Sequence, residues 1–422
     1  MRIIVAIAMN VMVCMTRLNR DTMERKIYRE DTEATRVGRD RSICGRLVNP
    51  PIARTTTVLA SNLAEWEETC LEPATGEPTK YYGRFGTVTT QALEQAMVQL
   101  EGGYRAMLFP SGLAACTHSL MALVRPGDHV LIVDSAYGPI RNFANGTLIP
   151  FGIDVTFYDP GIGAGINSLV RDNTRAIYME SPGSMSFEMQ DVPAICAVAK
   201  QRGITTLIDN TWATPFYFKP LAHGVDISIH SATKYICGHS DTLLGIATCN
   251  RESWDALANS ASNFGETASP DAAYVALRGL RTLPTRLRQH HASSLQVAEW
   301  LERQPEVACV LHPALASDPG HALWQRDCTG ASGLFACVLH PVPRQAFASF
   351  IDSLELFGLG VSWGGYESLV APINLRNLRT STRWSHEGPA IRLHVGLEDP
   401  EDLIQDLAAS FKLMVAMCAR AA

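Results

Sequence analysis

The sequence predicts an α/β protein: a large, mostly parallel sheet covered by helices, then a smaller α+β domain. Three observations carry this. From about residue 91 to residue 248, short apolar runs alternate with helical segments, the pattern of strands buried on both faces and joined by crossover helices. Several runs end in polar residues, among them Asp134, Glu180 and Asp209, where open parallel sheets place their ligand groups. Beyond about residue 281 strands become fewer and long helical stripes take over.

The expected strands of the large sheet are residues 106–109, 129–134, 155–158, 176–180, 205–209 and 226–230, with 243–248 a further candidate. A helix is expected over 113–124. In the C-terminal part, Leu295, Val297, Ala298 and Leu301 form a helical stripe, strands are expected at 333–340 and 391–395, and helices at 344–357 and 400–416. Residues 20–80 are polar and turn-rich, with Pro50-Pro51 and Glu72-Pro73 as breakers, and read as an extended arm.

Composition limits the function classes. At 422 residues the chain exceeds one typical core, and 46% hydrophobic with 18% charged residues leaves no room for extensive disorder. A net charge of −6 speaks against a nucleic-acid partner. The eleven cysteines are scattered without a Cys-x-x-Cys pair, which argues against a disulfide framework and a zinc site and for a reducing cytoplasm. The apolar stretch 3–15 is too short to span a bilayer, and no small-residue cleavage site follows it.

The chemistry concentrates at strand ends. Lys234 follows the run 226–230 and is preceded by Ser231 and Thr233; Asp209 ends another run 25 residues upstream. A lysine able to form a Schiff base and an aspartate able to pair with a pyridinium nitrogen are what pyridoxal phosphate requires. Phe109-Pro-Ser-Gly-Leu113 leaves a strand and opens a helix, so the backbone at Ser111, Gly112 and Leu113 is a candidate phosphate cradle, or else an ordinary serine-capped turn. Ser231 and Thr233 are further phosphate donors. Tyr137, three residues past Asp134, is placed to stack on a cofactor ring or simply to pack. Arg392, inside an apolar strand pattern, needs an anion: a structural partner or a substrate carboxylate.

With these residues in place, the chain resembles the Cys/Met-metabolism enzymes of the aspartate-aminotransferase-like pyridoxal phosphate fold, fold type I, over residues 32–415. The motifs are Tyr82-Gly-Arg84, Pro110-Ser-Gly112, Ile208-Asp-Asn-Thr-Trp212, Ser231-Ala-Thr-Lys-Tyr235 and Gly238-His-Ser-Asp241. The resemblance implies that Lys234 carries the cofactor. It also implies that Tyr82 and Arg84 reach across a subunit boundary to a neighbour's phosphate, in a homo-oligomer that is usually tetrameric. It divides the chain into an N-terminal extension and intersubunit arm (1–85), a large cofactor-binding domain (86–281) and a C-terminal α+β domain (282–422).

Within the family, Trp363 in Ser362-Trp-Gly-Gly-Tyr-Glu-Ser368 and Gly183-Ser184 in Glu180-Ser-Pro-Gly-Ser184 resemble the bacterial beta-lyase branch; gamma-acting relatives usually carry Leu and Asn at these places. The implied reaction is alpha,beta-elimination of a sulfur amino acid such as cystathionine. Arg392 and Ser362 would hold its carboxylate, with Trp363 beside it. Lys234 would act as the base, and Tyr137 and Tyr82 would tune the amine. Ser231, where some bacterial beta-lyases have alanine, is a gamma-type feature. Ser231-Ala-Thr-Lys234 also matches the Ser-x-x-Lys of serine beta-lactamases, but Ser-Asp-Asn and Lys-Thr-Gly partners are missing. A gamma-acting sibling with the same cofactor is the remaining alternative.

Overall fold

The computed structural model describes residues 28–71, 82–374, 376 and 379–421. The stretch 3–15 and the Glu72-Pro73 breaker lie outside them. Seven strands form the first sheet: β1 (Arg105–Phe109), β2 (His129–Val133), β3 (Asp154–Tyr158), β4 (Thr174–Glu180), β5 (Thr205–Asp209), β6 (Ile227–Ser231) and β7 (Gly245–Cys249). Their order is β1-β7-β6-β5-β4-β2-β3, and β7 alone runs antiparallel to its neighbours. The sheet is therefore mostly parallel, as the apolar runs predict.

Alternation along the strands builds two cores. In β2, Leu131 and Val133 join one apolar cluster, and Val130 and Ile132 join the other. β4 does the same, with Ile177 and Met179 against Ala176 and Tyr178. Successive side chains point to opposite faces, and both faces are covered, so a polar residue inside a strand, such as Thr206 or Ser228, is buried and needs a hydrogen-bond partner.

The second sheet runs β10-β11-β12-β9-β8, from β8 (Val307–Leu311), β9 (Leu334–Leu339), β10 (Gly358–Leu359), β11 (Leu369–Ile373) and β12 (Ala390–His394). Its main core includes Phe335, Phe350, Ile391, Leu393, Leu407 and Phe411. The helices Leu283–Glu302 and Pro400–Ala421 pack together against this sheet. β8, β10 and β11 were not anticipated.

The arm differs from the expectation. Residues 28–71 contain helices Glu30–Arg36, Arg41–Cys44 and Leu63–Leu71. Ala34 and Val37 are buried, and Arg281 donates from Nη1 to the carbonyls of both (3.1 and 2.7 Å). The start of the arm is packed onto the fold; the part from Leu47 to Leu63 exposes Leu47, Val48, Leu59 and Leu63.

A buried carboxylate ties the two sheets together. Asp134, just past β2, accepts from the N–H groups of Thr380, Ser381 and Thr382 (3.0–3.1 Å), from both threonine hydroxyls, and from Arg141 Nη2. Burial pushes its pKa up, but these hydrogen bonds outweigh burial and hold it below the ordinary 3.8.

Candidate active site

The polar strand ends Glu180, Asp209 and Ser231 lie side by side at the C-terminal ends of the central strands β4, β5 and β6. Helix Gly112–Leu123 starts there, with Ser111 as its N-cap, the side chain accepting from Ala114 N at 3.1 Å. The N–H groups of Gly112 and Leu113 meet no acceptor among the described residues. A methyl group on Gly112 would lie 2.4 Å from Ser231 Cβ, so glycine lets the helix start seat directly on the end of β6. Two unspent N–H groups at the positive end of a twelve-residue helix suit an anion such as phosphate. Ser231 lies at this contact. The Thr233 hydroxyl instead accepts from Leu244 N at 3.0 Å and lies 3.3 Å from Leu244 O, so its oxygen is tied to the backbone beside β7.

Asp209 ends β5. Its Oδ1 accepts from Thr211 N (2.9 Å) and Thr211 Oγ1 (2.5 Å), whereas Oδ2 has only the Cys116 thiol at 3.8 Å. Burial raises its pKa and the Thr211 hydrogen bonds oppose this. A cationic ring N–H at Oδ2 would complete its hydrogen bonding and favour the carboxylate. Glu180, directly opposite on β4, accepts from Tyr137 N at 2.7 Å; burial, and then the Asp209 charge, push its pKa well up. Sequence reasoning gave Glu180 no role, although its place in register with Asp209 at a strand end was a usable signal. The Tyr137 side chain is 41% exposed. Burial raises its phenol pKa, with Asp209 adding to the rise, so the phenol stays protonated at neutral pH and suits ring stacking better than proton abstraction.

Lys234 leaves β6 in a turn gripped from behind. Arg286, on helix Leu283–Glu302, donates to Tyr235 O (2.7 Å) and Gly279 O (2.9 Å). In front, Lys234 Nζ lies 2.5 Å from Ser362 Oγ and 5.3 Å from the Trp363 ring centre. Burial and then the Arg392 charge lower its pKa to about 8, with Asp209 pulling the other way. The amine is thus primed by burial and a neighbouring cation.

Arg392 is 8% exposed and its pKa is lowered by burial. It donates from Nη2 to Ser362 O (3.2 Å) and reaches Met185 Sδ (3.8 Å). No carboxylate of the described residues is within ion-pair distance. That favours a ligand carboxylate over a structural partner.

Tyr82 and Arg84 lie apart from this cluster. Tyr82 pairs with Thr57 in an isolated bridge; the Arg84 guanidinium donates to Ser262 O (3.2 Å) and lies 4.2 Å from the Phe85 ring centre. The residues present fit pyridoxal phosphate: free helix N–H groups for its phosphate, Asp209 Oδ2 for its ring nitrogen, a primed lysine for its aldehyde.

The comparisons agree. The Cys/Met metabolism PLP-dependent enzyme family matches residues 31–412. A putative cystathionine beta-lyase of Rhizobium johnstonii is 48% identical, covering 90% of this chain and 95% of that relative. The cystathionine beta-lyase of Escherichia coli is 43% identical over 91% and 98%. The crystal structure of a cystathionine gamma synthase from Xanthomonas oryzae pv. oryzae superposes with a TM-score of 0.84 at 30% identity, covering 93% of this chain and all of that one. The chain belongs to the Cys/Met metabolism PLP-dependent enzymes.

Proposed function

We propose that the protein is a carbon–sulfur lyase that carries out alpha,beta-elimination on L-cystathionine, releasing homocysteine, pyruvate and ammonia. The observation that carries the beta over the gamma reading is the Trp363 indole beside Lys234 Nζ, 5.3 Å away, on the loop that also holds Ser362 Oγ at 2.5 Å. Cystine and cysteine share the bond type and are further substrates.

When bound, pyridoxal phosphate supplies the electron sink that makes the alpha proton acidic. The chain's own groups do the rest. Arg392 binds the substrate carboxylate by its planar fork. Ser362 Oγ steers the Lys234 amine, and that amine takes the alpha proton. Asp209 Oδ2 would hold the ring nitrogen, the helix start at Ser111–Gly112–Leu113 would hold the phosphate with Ser231, and Tyr137 would pack on the ring. A neutral fraction of Lys234 is present at neutral pH because its pKa is near 8.

The working unit in this reading is a cytoplasmic homo-oligomer, a tetramer, in which Tyr82 and Arg84 serve the neighbouring subunit. Support comes from their place beside Ser262 and Thr57, with no hydrogen bond to Lys234, Ser111 or Asp209 of their own chain.

The deciding experiment is product analysis from cystathionine. Pyruvate with homocysteine is expected; 2-oxobutyrate with cysteine would replace this reading by a gamma-lyase.

A further inference from the structure

The loop 362–365 holds an unfavourable conformation. Ser362 has φ +88° and Gly364 has φ +87°. A serine in that region is strained, at a cost that surrounding contacts must offset. Gly364 is wedged against the lysine turn: a Cβ there would lie 2.8 Å from Tyr235 N and 2.9 Å from Lys234 Cα. Something must hold the loop in place.

Two residues of β12 on the same face do so. Arg392 donates to Ser362 O at 3.2 Å. His394, two residues on and 1% exposed, has Nε2 3.1 Å from Gly364 N and 3.2 Å from Gly365 O. Nε2 thus meets one backbone donor and one backbone acceptor of the loop, so either tautomer ties the ring to residues 364–365. Nδ1 has no partner among the described residues; neither has Nε2 of His290, whose ring centre is 5.3 Å away. Burial, and then His290, lower the His394 pKa to about 3, so it is neutral in the working range. A buried neutral imidazole with one ring nitrogen spent on the loop and the other unpartnered is costly for stability alone.

We propose that His394 is the positioning residue for Lys234: by its Nε2 contacts to the Gly364 N–H and the Gly365 carbonyl it locks residues 362–365 so that the Ser362 hydroxyl stays on the lysine amine. His394 touches neither substrate nor cofactor; it acts through Ser362. The proposal rests on the lyase reading above, in which Lys234 is the base.

The test uses the cofactor-loaded enzyme and four variants: His394→Gln, whose amide oxygen reaches the Gly364 N–H; His394→Leu, which cannot accept; Ser362→Ala; and the double variant His394→Leu/Ser362→Ala. Two quantities are read, kcat for pyruvate release and the pH midpoint of the visible absorbance band of the bound cofactor. His394→Leu lowers kcat about 10- to 100-fold, the cost of a small misplacement, and moves the band midpoint, while KM changes less. His394→Gln stays within about threefold of wild type in kcat and keeps its midpoint. In the Ser362→Ala background the His394→Leu effect disappears, because the contact through which it acts is gone. If the two substitutions multiply to within about twofold, if Gln is as damaging as Leu, or if the midpoint does not move, His394 is only a packing residue. Should His394→Leu fail to fold, His394→Asn, too short to reach Gly364, takes its place with the same expectations. A wild-type enzyme with no visible band or no pyruvate would instead overturn the lyase reading, a failure distinct from any variant result.

Discussion

Replacing Asp134 by alanine removes the shared acceptor of six donors in one step. They are Arg141 Nη2, the N–H and hydroxyl of Thr380, the N–H of Ser381, and the N–H and hydroxyl of Thr382. The Asp134 side chain is fully buried and that of Arg141 is 10% exposed. The variant therefore leaves a guanidinium buried over Phe157 (3.8 Å to the ring centre) without its carboxylate. Breaking one side of a buried pair costs about 3–5 kcal/mol. Unfolding entropy of about 2.1 cal/mol/K per residue gives ~0.9 kcal/mol/K for a chain of this size, so the melting midpoint should fall by ~3–6 °C. The assay is thermal unfolding followed by circular dichroism and tryptophan fluorescence, on wild type and variant under identical cofactor loading. The pH dependence sharpens it. Asp134 has a folded pKa below 3.8, so its contribution is complete above that value and is lost as pH falls through the folded pKa. The gap between wild type and variant should be constant from neutrality to about pH 5 and begin to narrow below about pH 4. A midpoint shift under about 1 °C at pH 7, or a gap that does not narrow in acid, would refute the clamp.

Two further outcomes follow from the site. Arg392→Lys keeps the charge but loses the planar fork, so KM for cystathionine should rise at least about tenfold with a smaller change in kcat; steady-state kinetics checks this, and an unchanged KM would place the carboxylate elsewhere. In cofactor-free protein, Lys234 should be labelled by an amine reagent with a rate that climbs to a plateau above about pH 8, since the neutral amine reacts. Peptide mapping against pH measures it; a midpoint near the ordinary lysine value of 10.5 would remove the priming by burial and Arg392.

What could be read from the sequence follows the length and purity of each pattern. β2 reads His-Val-Leu-Ile-Val and is buried throughout, and so it stands out as a strand. β11 reads Leu-Val-Ala-Pro-Ile with mixed burial; a proline and a half-exposed pattern demote such a run. Helix Glu30–Arg36 is polar, with Ala34 its one buried residue, so nothing periodic announces it. Lys234, Asp209 and Ser111 were legible because a strand or its adjoining turn places them locally. The Asp134 clamp closes over 246–248 residues of chain, and the link from His394 to Gly364 spans 30. Neither leaves a local signature. Thr233 was named for its hydroxyl, yet the Leu244 backbone 11 residues away engages it.

Lys234 follows a strand of the first sheet, and Arg392 stands on a strand of the second. Under the proposed function an amino acid is therefore spanned by two separate frameworks, like a rod between caliper jaws. Asp134 fastens residues 380–382, in the connection from β11 to β12, to the end of β2. Under the proposed function the jaws would grip the amino-acid head and leave the chain beyond the sulfur ungauged, so cystathionine, cystine and cysteine would compete for one site.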